Sequence, residues 1–405
     1  MAVFPSRDID CVDWPGKTAS TDGVIMRLNE EQVSIQDSVR RMVQKDIVPL
    51  VAGMEESDRF PSELVPIFGD MGLLQLWLPE EYGGPGGNLK TVCIVKEEIA
   101  KVSLAAATLC GNNSISFVLP ILHYGTEEQK QRWLPLAAEG RLVTAIAVTE
   151  PQAGSDVSSI RTRAVKDGAS YVINGQKNWI TWGGYAHYVL LFARTSEASG
   201  SDGISAFLVD TKTPGFRLGR QEHKMGRNGA PNHELFFDDM RVDADCLLGE
   251  EGQGFKACMK VLDLNRPTIA ATSLGLAQGA LDVSVAYAKE RKQFGRAIAE
   301  FQGMQFKLAD MAIKIEAARN LLYNCADEID SGDHSRLNMI SSITKCFVTD
   351  IAMEVTTEAV QVLGSYGYSK EFPVERMMRD AKLNQIIEGT NEIHRLIVAR
   401  RLLEN

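Results

Sequence analysis

Tyr171-Val172-Ile173-Asn174-Gly175-Gln176-Lys177-Asn178-Trp179-Ile180-Thr181 is the stretch on which the fold turns. Two strand-like runs flank Asn-Gly, the dipeptide favoured where both central residues of a tight hairpin take positive φ, so the reading predicts a hairpin turning at Asn174-Gly175. Further strand-like runs cover residues 187–194, 204–209, 216–220 and 235–242, separated by turn clusters at 196–203 and 214–215. Strands gathered in one block do not fit the alternating βαβ order of a doubly wound sheet. No glycine-rich dinucleotide motif or P-loop follows any of these strands.

Outward from that block the periodicity changes to that of helices. No proline occurs between Pro267 and Pro373, which suits long helices. Within that span Met304, Leu308, Met311, Ile315, Ala318, Leu322, Cys325 and Ile329 recur in steps of four and three, the seam of one long bundle helix ending at Ser331-Gly332-Asp333. Before the strands, residues 28–48, 61–74 and 89–109 carry helical patterns, with a loop at 79–84. The expected class is α+β in the order α, β, α. Its expected parts are an extension over 1–27, a helical domain over 28–140, a β-domain over 141–250 and a C-terminal four-helix bundle over 251–405.

Composition narrows the function. The 405 residues carry 43 Lys plus Arg against 53 Asp plus Glu, a formal charge of −10, which does not suit nucleic acid as a partner. No apolar run reads as a membrane span. The acidic N-terminus resembles neither a secretory signal nor a transit peptide, so the expected location is the cytoplasm of a bacterial cell, or the mitochondrial matrix if a leader has been removed. Seven scattered cysteines without a C-x-x-C pair predict neither a disulfide framework nor a metal site, and suit a reducing compartment.

Four places carry candidate chemistry. Residues 149–156 form a polar turn with Gly154 and Ser155 at its tip, offering backbone N–H groups to a carbonyl or phosphate, or simply a capped β-turn. Trp179 and Thr181, two apart on a predicted strand, face one side. Arg291 ends an Ala-rich helix before Phe294-Gly295, where a guanidinium suits a pyrophosphate or the helix dipole. Glu388 lies between Ile386-Ile387 and Gly389-Thr390. A carboxylate held among apolar groups has a raised pKa and can abstract a proton, whereas a Glu before a helix otherwise complements the dipole. Thr390 or Asn391 is the expected cap of the following helix.

Three stretches together resemble the acyl-CoA dehydrogenase family of flavoenzymes. They are residues 147–156 (AVTEPQAGSD) with 177–181 (KNWIT), 291–295 (RKQFG) with Gln302, and 361–368 (QVLGSYGY) with Arg379-Asp380 and 387–393 (IEGTNEI). The resemblance covers nearly all of the chain from Leu28 onward. It implies a helical domain, a β-domain and a four-helix bundle, with FAD between the last two, in a homotetramer. It places Val148, Thr149, Gly154, Ser155, Trp179, Thr181, Thr390 and Glu392 on FAD, and Arg291, Phe294, Gln302, Gln361, Gly364 and Ser365 on the FAD of a neighbouring subunit. Ser155, Asp263, Arg266 and Gly389 are implied around the acyl-CoA. Glu388 is implied as the base that takes the α-proton while the β-hydride passes to flavin N5. Reoxidation by an electron-transfer flavoprotein is implied too.

Asn265 stands where other family members carry their base, so the chain resembles the short- and medium-chain type, with the base in the Glu388-Gly389-Thr390 loop, rather than the isovaleryl or long-chain types. Ser365, Trp182 and the run Met225-Gly226-Arg227-Asn228-Gly229-Ala230 depart from the usual pattern. The implied floor of the acyl pocket has small residues, Ala105, Ala106, Ala107, Thr108 and Gly111, leaving room for a medium, branched or cyclic acyl group. Fatty acid β-oxidation is the implied setting. The alternatives are the same site working as an enoyl-CoA reductase, and a helical scaffold of the same fold without catalysis.

Overall fold

The structure is a computed structural model and describes residues 28–198 and 200–404. The expected extension over 1–27 lies outside the described residues apart from its boundary. The first helices are α1 (Glu30–Met42), α2 (Val48–Ser57), α3 (Leu64–Asp70), α4 (Leu89–Ala100), α5 (Leu104–Leu109), α6 (Leu119–Tyr124) and α7 (Glu127–Ala138). The strands are β1 (Thr144–Ala147), β2 (Arg163–Asp167), β3 (Ser170–Thr181), β4 (Tyr188–Arg194), β5 (Ile204–Asp210), β6 (Phe216–Gln221), β7 (Asn232–Asp243) and β8 (Leu247–Leu248). The chain closes with α8 (Gly254–Glu290), α9 (Gln302–Asp330), α10 (Leu337–Leu363), α11 (Val374–Asn384) and α12 (Asn391–Leu403). The expected α, β, α order is present.

The strands form one eight-stranded sheet in the order β6-β7-β3-β2-β4-β5-β8, with β1 parallel to β4. β4 is an unbroken apolar run because both of its faces are covered. Leu190 and Phe192 pack with Phe117, Leu134 and Cys258, while Val189 and Leu191 pack with Ile173, Phe207 and Phe237.

Asn174-Gly175 is not the expected hairpin turn. β3 runs straight through it, and the hairpin turns instead at Gly168 and Ala169, between β2 and β3. The Asn174 side chain is used across the sheet: its Oδ1 accepts from Asp239 N at 2.8 Å and its Nδ2 donates to Asp239 Oδ1 at 3.0 Å. Gly175, at φ 151°, marks a register shift where a Cβ would lie 2.7 Å from Thr162 Cα. The same dipeptide that favours a turn therefore serves a bulge here.

Two helical expectations also change. Residues 89–109 break into α4 and α5 because the Ser103 side chain accepts from Ala106 N at 3.2 Å and starts a new helix. The long helices also begin before the proline-free span, since Pro267 sits inside α8. The seam in α9 is as expected: Met311, Ile315, Ala318, Leu322, Cys325 and Ile329 are buried against α8 and α10. α4 joins this core. Gly275 and Gly279 of α8 allow its approach, since a Cβ at either would lie 2.3 Å from the carbonyl oxygen of Glu97 or Lys101. The segment 104–124 and α8 are each long and apolar enough to cross a membrane, more than the sequence reading allowed, yet both are mostly buried within the protein.

Candidate active site

Glu388 lies in the short link between α11 and α12, and both ends of that link are fixed. Asn384 at the end of α11 donates to Ser273 Oγ of α8 at 2.8 Å, and Thr390 caps α12 by accepting from Ile393 N. Between them, Lys345 of α10 reaches up from full burial and donates to Gly389 O at 2.8 Å and Asn391 Oδ1 at 2.9 Å. Arg266 of α8, ion-paired to Asp263, points its Nε at Glu388 O, 3.5 Å away. Two buried cations thus hold two successive carbonyls, and Glu388 itself sits at φ 56°. A left-handed non-glycine residue costs energy and persists only where its surroundings hold it.

Glu388 as a whole is half-buried, but its Oε2 is cut off from solvent and has no hydrogen-bond partner. Burial raises the carboxyl above its usual pKa. A hydrogen bond from Asn265 and the charges of Arg266, Lys345 and Lys96 oppose that rise. Lys345 is pushed down to about 7, chiefly by burial. His394, buried beside Gly389, is pushed down to about 3 by burial and by Arg266 and Lys345, so it is neutral at working pH. The result is a carboxylate with an unengaged lone pair, a fixed backbone and a surplus of positive charge around it. That suits taking a proton from a carbon made acidic by a neighbouring carbonyl.

The β-domain residues lie on two linked segments. Lys177 of β3 is fully buried and donates to Val148 O at 2.9 Å and Glu150 Oε1 at 2.8 Å. Glu150 also accepts from the backbone N–H of Arg161 and Thr162, so the turn over 148–162 is braced from within. Gly154 and Ser155 stand exposed at its tip. Trp179 is 53% exposed and Thr181 half-buried, with buried Ile180 between them. Strict strand alternation is not what presents them, because Trp179 is at φ 63° and the register slips between Lys177 and Ile180. Asn232 ties the pair together by donating to Trp179 O at 2.9 Å and Thr181 Oγ1 at 3.0 Å.

The remaining cofactor candidates form a separate cluster. Arg291, Phe294, Gln302, Gln361, Gly364 and Ser365 are all exposed at the other end of the bundle, and the Arg291 guanidinium lies 5.7 Å from the Tyr366 ring centre. Along α8, Arg291 is about 38 Å from Arg266 at 1.5 Å per residue. Thr390 and Glu392 stay with Glu388 at the start of α12.

Sequence reasoning missed Lys345, Lys96 and Arg227. Lys345 was legible as a lone lysine in the run Ile343-Thr344-Lys345-Cys346-Phe347-Val348, whereas Lys96 is followed by Glu97-Glu98 and reads as part of a charged helix face. Arg227, in the unusual run after β6, is buried and donates to Thr181 Oγ1 at 3.0 Å. Trp182 is fully buried with its ring 5.0 Å from that of Phe60.

Three domains of one family match in order: acyl-CoA dehydrogenase N-terminal domain over residues 29–141, middle domain over 145–240 and C-terminal domain over 252–403. The acyl-CoA dehydrogenase of Bacillus subtilis is 44% identical over 378 residues, 93% of this chain and 99% of its own. Butyryl-CoA dehydrogenase of Megasphaera elsdenii superposes with a TM-score of 0.89 at 40% identity, over 94% of this chain and 100% of that one. A chain of the solved structure named for the electron transferring flavoprotein of Acidaminococcus fermentans superposes with a TM-score of 0.91 at 42% identity, with the same coverage.

Proposed function

Because this chain belongs to the acyl-CoA dehydrogenase family of flavin-dependent oxidoreductases, we propose that it desaturates an acyl-CoA thioester to the 2-enoyl-CoA with Glu388 as the base. The observation that carries the reading is the Glu388 carboxylate: pKa raised by burial, Oε2 without a partner, and backbone held by Arg266 and Lys345. A base of this kind takes the α-proton directly, its Oε2 being shielded from solvent. The Glu388 N–H is proposed to donate to the thioester oxygen, which makes the α-proton more acidic. Asp263 and Arg266 hold each other and the loop, so their part is to position the base beside the substrate, with Gly389 at the contact.

FAD fits the β-domain face. Trp179 offers an aromatic ring open to solvent, Thr181 a hydroxyl fixed by Asn232 and Arg227, and Gly154 a turn with nothing within 4 Å of where a Cβ would point. When bound there, FAD supplies the acceptor for the β-hydride. Val148, Thr149, Gly154, Ser155, Trp179, Thr181, Thr390 and Glu392 are proposed to hold it from this chain. Arg291, Phe294, Gln302, Gln361, Gly364 and Ser365 are proposed to hold the FAD of a second copy, because about 38 Å of α8 separates Arg291 from Arg266. Phe294 at 94% and Tyr368 at 87% exposure also suit burial against such a copy, in a tetramer.

A cavity of about 380 Å³ follows the Ser155 turn and is lined by Arg161, Arg163, Arg194, Ser196 and Glu197; Arg163 is paired to Glu197 and Arg194 donates to backbone carbonyls, so Arg161 is the arginine proposed to meet the phosphates of CoA. An electron-transfer flavoprotein is the proposed acceptor, and the reduced cytoplasm the proposed setting. Among the described residues Cys93, Cys110, Cys246, Cys258, Cys325 and Cys346 are all free, in keeping with such a compartment. The test is to purify the protein and add acyl-CoA thioesters anaerobically. The reading predicts a yellow protein with one FAD per chain that bleaches with a suitable thioester. A folded, colourless protein that takes up no FAD would refute it.

A further inference from the structure

We propose that the acyl group taken by this site ends in a carboxylate, and that Lys96 receives it. The proposal deepens the acyl-CoA reading and rests on it. Lys96 lies in α4, whose residues from Val92 to Ala100 are all buried, and it is only 6% exposed. Its Nζ donates to Ala107 O at 3.1 Å, at the end of α5. Its Cε lies 3.5 Å from where a Cβ on Gly111 would sit. Ala107 and Gly111 are two of the small residues at the implied floor of the acyl pocket, so the ammonium stands at that floor.

An ammonium has three N–H donors, and one of them is used here. Its charge also needs compensation. Burial lowers the Lys96 pKa, and the groups whose charge would favour its ammonium are the Cys110 and Cys93 thiols and Glu388. Burial holds Cys93 well above its usual pKa and Cys110 up to about 12, so both thiols are uncharged at neutral pH. Glu388 is committed to the α-proton. It is the one carboxylate among these groups, and it loses its charge on taking the α-proton, which leaves the Lys96 ammonium uncompensated, a costly state for a buried cation.

Two more donors point the same way. Trp182, in one apolar cluster with Ala105, Ala106, Ala107 and Cys110, has a buried Nε1 without a partner. Arg227, whose charge also bears on Lys96, has a buried Nε without one. A plain alkyl chain would seal these donors from water and give them nothing. A carboxylate brings two acceptor oxygens and the missing charge. A keto or hydroxyl end would answer a donor and leave the charge.

The test compares thioesters of equal length in the holoenzyme: butanoyl- with succinyl-CoA, hexanoyl- with adipoyl-CoA, octanoyl- with suberyl-CoA. At the best length the carboxylated member should have the higher kcat/KM by about 10²-fold or more, because a site built for a polar group rejects an analogue lacking it. Lys96→Met should cut that ratio by about 10²-fold, raise turnover of the plain thioester, and leave Tm equal or higher, since a buried charge is gone. Lys96→Arg should keep the preference, and covers the case in which the Met variant fails to fold. Equal or better use of the plain member by the wild type, or an unchanged ratio in Lys96→Met, would overturn the proposal while leaving the acyl-CoA reading intact. Failure of every thioester to bleach the flavin would overturn both.

Discussion

At the scale of single residues, the site is governed by how few charges are left to compensate one another. Glu388 feels Arg266, Lys345 and Lys96 together, and burial still keeps its pKa above the usual value. The base form exists only above that raised pKa, so turnover should fall as pH drops through it. Lys345 lowers the Glu388 pKa while it carries its proton, which it does below about 7. Lys345→Met removes that help, so the acid limb of the kcat/KM profile should move to higher pH, as measured by steady-state kinetics across acid pH. An unmoved limb would mean that Lys345 holds the loop without tuning the base. Glu388 was legible from its neighbours in the chain. Its partnership with Lys96 and Lys345 was not, because these lie on helices far away in sequence, and only packing brings their charges to one carboxylate.

At the scale of elements, local signals succeeded where one periodicity ran undisturbed and failed where a side chain was claimed by a distant partner. The α9 seam is legible because its repeat is set by packing along one face. Asn174-Gly175 misleads because Asn174 bonds Asp239 of β7, a partner no local window contains. The break at Ser103 is a small polar cap inside an apolar run and is easily read through. The contact of α4 with α8 rests on small residues. Gly275→Ala would put a methyl 2.3 Å from Glu97 O and 2.8 Å from Ala100 Cβ, both on a buried helix that cannot yield easily. Overpacking of this kind costs about 1–3 kcal/mol. The expected outcome in denaturant melts is a lowered midpoint with an unchanged slope. Wild-type stability would show that the two helices can separate without loss.

At the scale of the whole molecule, one chain carries its two proposed FAD-binding clusters at opposite ends of its bundle, and a second copy is proposed to join them. Co-expression tests this. In a mixed oligomer of Arg291→Ala and Glu388→Gln chains, a site using Glu388 from the first and Arg291 from the second is intact. Activity should therefore return, although each variant alone is deficient. No return in verified mixed oligomers would assign Arg291 to its own chain or to structure. The central claim is more local, that Glu388 takes the α-proton, and one measurement reaches it most directly. Rapid anaerobic mixing of FAD-loaded Glu388→Gln with the thioester that bleaches the wild type reads the reaction in the flavin itself. The amide keeps the shape and the backbone N–H but has no basic lone pair, and loss of a positioned base costs on the order of 10²–10⁴ in rate. The account predicts bound thioester, retained FAD and bleaching slowed towards the upper end of that range; bleaching at the wild-type rate would contradict it.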